Sequence, residues 1–245
     1  MHIRLFAETQ MNKLINEGGN VFTSQEDGSA TIRIKKADVD PTLIWLGNVL
    51  GIEKLEDFKL GTTGKKETSG DLDIAIDKNK VSKDDLDEKL MAWVNENHPE
   101  LELAKLPDAQ KEYDRWWSIK LKEVPRQNWE KIKKKREIAK KELERLKTNK
   151  KRWIARSGTS VHFKTPIRGD ESNGFVQTDL MFGNPEFMLW SVQGEPEGSG
   201  YRGRDRQLLI NAIATAKGYA WNAFFGLTHR TTGEEITDKQ EVVNR

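Results

Sequence analysis

Cysteine is absent from the 245 residues, which excludes disulfides and thiolate metal sites. Histidine is scarce, and His2, His98, His162 and His229 are too scattered to suggest a zinc cluster. No apolar run approaches the ~20 residues needed to cross a bilayer. The opening Met-His-Ile-Arg is not followed by the apolar stretch of a signal peptide. Internal repeats and low-complexity linkers are also missing. A metal in this chain is therefore expected to be a hard cation held by oxygen. The default expectation is a cytoplasmic, monomeric protein without a membrane partner, built as one moderate domain or two small ones.

Charge is present in both signs but unevenly placed. Residues 111–152 hold 17 basic and 7 acidic side chains, a net of +10 in a chain whose total is only +2. The remainder is therefore net negative by about eight. A basic block beside an acidic remainder suggests a polyanionic partner, although charged helices are often merely solvated.

Local patterns place most elements. Residues 1–36 read as a short helix followed by a hairpin around Asp27-Gly28. Asp40 reads as the cap of a helix that opens at Pro41 and ends near Gly51. A Gly/Thr/Lys loop leads into an alternating strand at Asp71–Asp77. Ser82 with Asp85 resembles a capping box opening a helix that ends before Pro99. Trp116-Trp117-Ser-Ile-Lys-Leu looks strand-like. A long helix is expected after Pro125, with Trp129, Ile132, Ala139, Leu143, Leu146 and Trp153 as one narrow apolar stripe. Strands follow at Thr159–Lys164 and Gly174–Phe182. A helix from about Arg204 ends at Gly218, and Thr232-Gly233 turns a small terminal hairpin.

The chemistry concentrates in Gly61-Thr-Thr-Gly-Lys-Lys-Glu-Thr-Ser-Gly-Asp71-Leu-Asp73. Side chains two apart on a strand share a face, so Asp71 and Asp73 point together while Leu72, Ile74 and Ile76 anchor the other side. Paired carboxylates repel unless a cation lies between them. The glycines of the preceding loop leave amides accessible, and Lys65 and Lys66 add charge suited to a polyphosphate. The spacing is not that of a P-loop. A third carboxylate, Asp179, lies on the opposite face of its strand from Val176, Leu180 and Phe182, where it could complete a metal site.

These residues resemble the signature of the DNA polymerase beta-like nucleotidyltransferase superfamily, and more narrowly the palm and thumb of family X DNA polymerases. Gly198-Ser199 stands where that family has a Thr-Gly-Ser turn. Arg206 to Asn222, Gly226-Leu227 and Thr232 to Ile236 look like its thumb, with a late acidic residue at Glu241. The matching stretches span about residues 58–77 and 159–243. The resemblance implies an α+β fold: a nucleotidyltransferase palm with a mixed sheet over 58–200, interrupted by a basic helical insertion at about 108–156. A small α/β thumb over 201–245 would follow, and residues 1–57 would form a separate helix/hairpin/helix region.

The resemblance also implies two Mg2+ ions, for which Mn2+ could substitute, held by Asp71, Asp73 and Asp179. Gly61, Thr62, Lys65, Lys66, Ser69, Gly198, Ser199, Gln207 and Asn211 would contact a nucleoside triphosphate. Lys131, Lys133, Lys134, Lys135, Lys140, Lys141 and Arg204 would grip nucleic acid, with DNA favoured over RNA. The chain departs from the family in several places. Its first loop is one residue shorter, and Thr62 replaces a serine. An aromatic pair that discriminates sugars is replaced near Glu195 and Pro196, and residues 1–57 do not resemble the lyase domain. Such a compact enzyme fits gap filling in DNA repair or end extension. It also fits a viral or mobile-element source, which would place it in a host cytoplasm. The alternatives are template-independent transfer to RNA or tRNA ends or to a protein hydroxyl, and a non-catalytic nucleic-acid-binding protein that keeps the fold.

Overall fold

The computed structural model describes residues 21–22, 31–192 and 203–245. The expected opening helix and Asp27-Gly28 turn lie outside them. Among the described residues the chain is α+β, with a four-stranded mixed sheet and two smaller antiparallel sheets. A short strand β1 (Ile34–Lys35) pairs antiparallel with β2 (Thr68–Ser69). Helix α1 (Lys36–Leu50) follows β1 directly, so it starts before the expected Asp40 cap and takes Pro41 inside it. The short ladder sets this start: Lys36 N–H donates to Glu67 O at 3.0 Å, and the chain turns into the helix at once.

The main sheet has the order β3 (Asp71–Asp77), β6 (Phe175–Gly183), β5 (Ser160–Pro166), β4 (Ile154–Ser157). The β3–β6 pair is parallel and the others are antiparallel. Parallel neighbours need a crossover, and here the connection carries three helices. The first, α2 (Lys83–Asn97), opens on a complete capping box between Ser82 and Asp85. The others are α3 (Leu106–Ser118) and α4 (Trp129–Lys151). The strand-like reading of Trp116-Trp117 is corrected here, because both tryptophans lie in α3. Leu106-Pro107-Asp108 starts that helix, with proline in the first turn and an acid near the N-terminus. Tyr113 and Trp117, four apart, then stack at 4.5 Å.

Alternation along the strands divides the sheet into two faces. One carries Leu72, Ile74, Ile76, Val161, Phe163, Val176, Leu180 and Phe182, and packs on Leu43, Leu46 and Leu50 of α1 and Leu86, Leu90 and Val94 of α2. This is the main core. The expected stripe of α4 is buried at Ile132, Ala139, Leu143 and Leu146. Each large member adds about 1.5–3 kcal/mol of burial, and an ion pair from Lys150 to Asp87 of α2 adds a polar tie. Trp153 continues the stripe beyond the helix end and packs edge-on against Phe175 at 5.3 Å.

After β6, α5 (Pro185–Ser191) covers part of the second face through Met188, which packs with Leu60 and Ala75. Helix α6 (Gly203–Ala216), the meander β7 (Tyr219–Asn222), β8 (Gly226–His229), β9 (Glu235–Ile236), and α7 (Lys239–Asn244) close the chain. Their small core is Ala214, Tyr219, Leu227 and Ile236. The terminal hairpin reading holds as β8–β9. No helix among the described residues is long and apolar enough to cross a membrane.

Candidate metal centre

Strand register builds the centre. In the parallel pair, Asp71 lies beside Gln177 and Asp73 beside Asp179. In the antiparallel pair on the other side, His162 lies beside Asp179 and Lys164 beside Gln177. Two polar rows therefore cross the non-core face: Asp71–Gln177–Lys164 and Asp73–Asp179–His162. Asp71, Asp73 and Asp179 each bring a carboxylate oxygen within 4.8 Å of the others.

Burial and crowding disfavour ionisation of two of these carboxyls, Asp73 and Asp71. The carboxyl of Asp73 is pushed up to about 8, by burial first and then by Asp71 and Asp179. Asp71 is raised as well, by burial and then by Asp179, against the lowering effect of its own backbone hydrogen bond and of Arg33. A bound divalent cation would relieve this deficit. The donors are all oxygen, which suits Mg2+ or Mn2+ rather than a thiophilic ion.

The Gly61–Lys66 loop is pinned against this centre rather than open. Leu60 N–H donates to Asp73 O at 2.8 Å, and Asp73 N–H donates to the hydroxyl of the buried Thr63 at 3.0 Å. Gly61 N–H donates to Val192 O at 3.1 Å, and Lys65 N–H to Thr62 O at 3.0 Å. Gly64 N–H reaches the buried Ser69 hydroxyl at 3.4 Å. Positive φ at Gly61 (56°) and Gly64 (70°) makes the fold of the loop possible. Accessible amides were expected at Gly61 and Gly64, and both are bonded. Within this loop, and among the described residues, only the amides of Thr62 and Lys66 lack an acceptor. The side chains of Thr62, Lys65 and Lys66 are exposed, whereas Ser69 braces the loop.

The remaining expected residues divide. Gly198 and Ser199 lie outside the described residues, and Arg204 stands in the first turn of α6. Gln207 is committed within the protein: its Nε2 donates to Ser191 O at 2.5 Å and its Oε1 accepts from Trp221 Nε1 at 2.7 Å. Asn211, one turn on, is exposed. On α4 the six lysines expected to grip nucleic acid, of nine in the helix, are all exposed. Lys133 pairs with Glu130 and Lys141 with Glu137 along the helix. Lys131, Lys134, Lys135 and Lys140 have no ion-pair partner among the described residues.

Four residues at the centre escaped the sequence reading. Arg33 donates to the Thr68 side chain and carbonyl, both at 3.0 Å, and sets a positive charge near Asp71. Thr63 pins Asp73. Gln177 and His162 both hydrogen-bond Asp179 Oδ1, at 2.8 and 2.7 Å. A signal existed for the last two. Each is a polar residue on the non-core face of a strand whose other face is mostly apolar, as Asp179 is.

Compared with known protein families, curated proteins and solved structures, the chain matches none of them.

Proposed function

We propose that this protein is a metal-dependent nucleotidyltransferase that joins a nucleoside monophosphate to a nucleic-acid 3′ hydroxyl, in the manner of a compact family X DNA polymerase without a lyase domain. The observation that carries this reading is the three-carboxylate cluster spanning the parallel strands β3 and β6. Beside it lies a braced, lysine-bearing loop.

In the proposed reaction the 3′ oxygen attacks the α-phosphorus in line, the bond to the β-phosphate oxygen breaks, and pyrophosphate leaves. Asp71, Asp73 and Asp179 would hold the divalent cations, which would supply charge neutralisation and a lowered hydroxyl pKa. The rest falls to the chain. Thr63 and Leu60 hold the backbone of Asp73 in place. Arg33 sets a positive charge near Asp71, and the exposed Lys65 and Lys66 would offer more to the triphosphate. The unpaired lysines of α4 offer a sequence-independent grip on a phosphate backbone. α6 is anchored to Ser191 through Arg206 and Gln207, which fixes the thumb-like segment against the end of α5.

The test is incorporation by the purified full chain on labelled primer, primer-template, gapped duplex and tRNA, with each nucleotide and Mg2+ or Mn2+. Templated, metal-dependent extension is the expected result. Untemplated tailing of RNA would replace it with the second transferase reading. Inactivity on every acceptor, with no metal binding, would overturn the proposal.

A further inference from the structure

Asp179 is more tightly held than a metal ligand needs to be, and the grip falls on one oxygen. His162 is buried at 7% exposure beside Asp179 at 4%. Its Nδ1 lies 2.7 Å from Asp179 Oδ1, and its Nε2 lies 2.7 Å from the hydroxyl of Ser157. An ionised carboxylate can only accept, whereas a hydroxyl can turn to donate. The assignment that satisfies both contacts puts a proton on Nδ1 and lets Ser157 donate to Nε2. Ser157 reaches His162 diagonally across the β4–β5 hairpin, where Ala155 is the residue directly opposite.

Gln177 Nε2 donates to the same Oδ1 at 2.8 Å, and its orientation is set from behind, because its Oε1 accepts Val21 N–H at 2.7 Å. Two donors on one oxygen occupy both of its lone pairs. Oδ2 is the oxygen that neither donor occupies, and so the one available to a cation shared with Asp71 and Asp73.

We propose that His162, braced by Ser157, is a positioning residue that confines Asp179 to one-oxygen ligation and thereby biases the centre toward small octahedral cations over Ca2+. This rests on the metal-centre reading above. Mg2+ and Mn2+ take single carboxylate oxygens in six-coordinate shells. Ca2+ prefers seven or eight oxygens and often chelates a carboxylate through both. Chelation by Asp179 would require Oδ1 to give up hydrogen bonds in a buried row. A histidine that only filled space there would affect stability and leave cation choice alone.

The experiment uses the full chain without nucleotide. Mn2+ binding is followed by the EPR signal of the free ion, Ca2+ is added as competitor, and thermal melting is recorded on the same samples. His162→Leu is expected to weaken Mn2+ binding about 10- to 100-fold, the usual effect of losing a group that orients a ligand, and to narrow the Mn2+/Ca2+ preference. His162→Asn can present an amide N–H near the Nδ1 position and is expected to retain Mn2+ affinity within about threefold. A folded His162→Leu protein with unchanged Mn2+ affinity and preference would overturn the proposal. Should His162→Leu fail to fold, Ser157→Ala on the exposed hairpin decides: a loss of about two- to fivefold is expected, and none would overturn it. Wild-type protein that binds no Mn2+ would instead overturn the metal-centre reading itself.

Discussion

Asp73→Asn is expected to make the metal-free protein more stable while destroying its activity. The folded-state carboxyl titrates at about 8, against ~3.9 for an aspartate in an unfolded chain. Because the acid's pKa is raised on folding, the folded chain binds a proton more tightly than the unfolded one between those values. Stability is thus fully present below about pH 4 and falls as pH rises through about 8. The whole gap of about four units corresponds to roughly 5 kcal/mol. Asp73 is only half-buried, so water screens part of the charge, and removing it recovers a part, about 2 kcal/mol at pH 8. For a chain of this size that is a rise of about 4–8 °C in melting temperature. Below about pH 4, where Asp73 is protonated in the folded and the unfolded chain alike, the variant and wild type should melt together. Saturating Mg2+ should raise the wild-type melting temperature most at alkaline pH and leave the variant behind. Differential scanning calorimetry of both proteins at about pH 4 and about pH 8, with and without Mg2+, reads all of these at once. A variant no more stable than wild type at pH 8 without metal would refute the picture of three crowded carboxylates awaiting a cation.

Asp179→Ala, measured in the primer-extension assay, should abolish transfer with the fold intact by circular dichroism, and near-normal turnover would remove Asp179 from the centre. Replacing Lys131, Lys134 and Lys135 by glutamine should flatten the slope of log affinity against log salt by about two to three units on duplex DNA; an unchanged slope would mean that α4 is a solvated charged face. With Glu195 and Pro196 in place of an aromatic pair, matched ribo- and deoxyribonucleotides should be incorporated within about tenfold of each other, a difference near ~1.4 kcal/mol. Strong rejection of ribonucleotides in that comparison would require another residue at the sugar.

Much of the framework was legible because it is local. The capping box at Ser82–Asp85 satisfies helix-end amides with residues three apart, and strict alternation announced β3 and β6 with their carboxylates on the non-core face. The α4 stripe repeats at helical spacing and is buried as expected. Local reasoning failed where a strong short pattern met a stronger neighbour. Pro41 was read as a helix start, yet the β1–β2 ladder starts the helix earlier. Trp116 and Trp117 looked like strand residues, yet Leu106-Pro107-Asp108 had already nucleated a helix that carries through them.

By itself, the sequence determined that Asp71 and Asp73 share a face, that Asp179 faces away from the apolar side of its own strand, and that a cysteine-free chain with scattered histidines would offer a cation only oxygen. Tertiary structure decided which of these groups meet. Register between β3, β5 and β6 joins strands up to about a hundred residues apart, and no local periodicity specifies it. That register set Asp73, Asp179 and His162 in one row, and the β1–β2 ladder carried Arg33 to Asp71. The same pairing turned Gln177 and His162, which alternation alone would leave as unremarked polar residues, into the two donors on a single carboxylate oxygen.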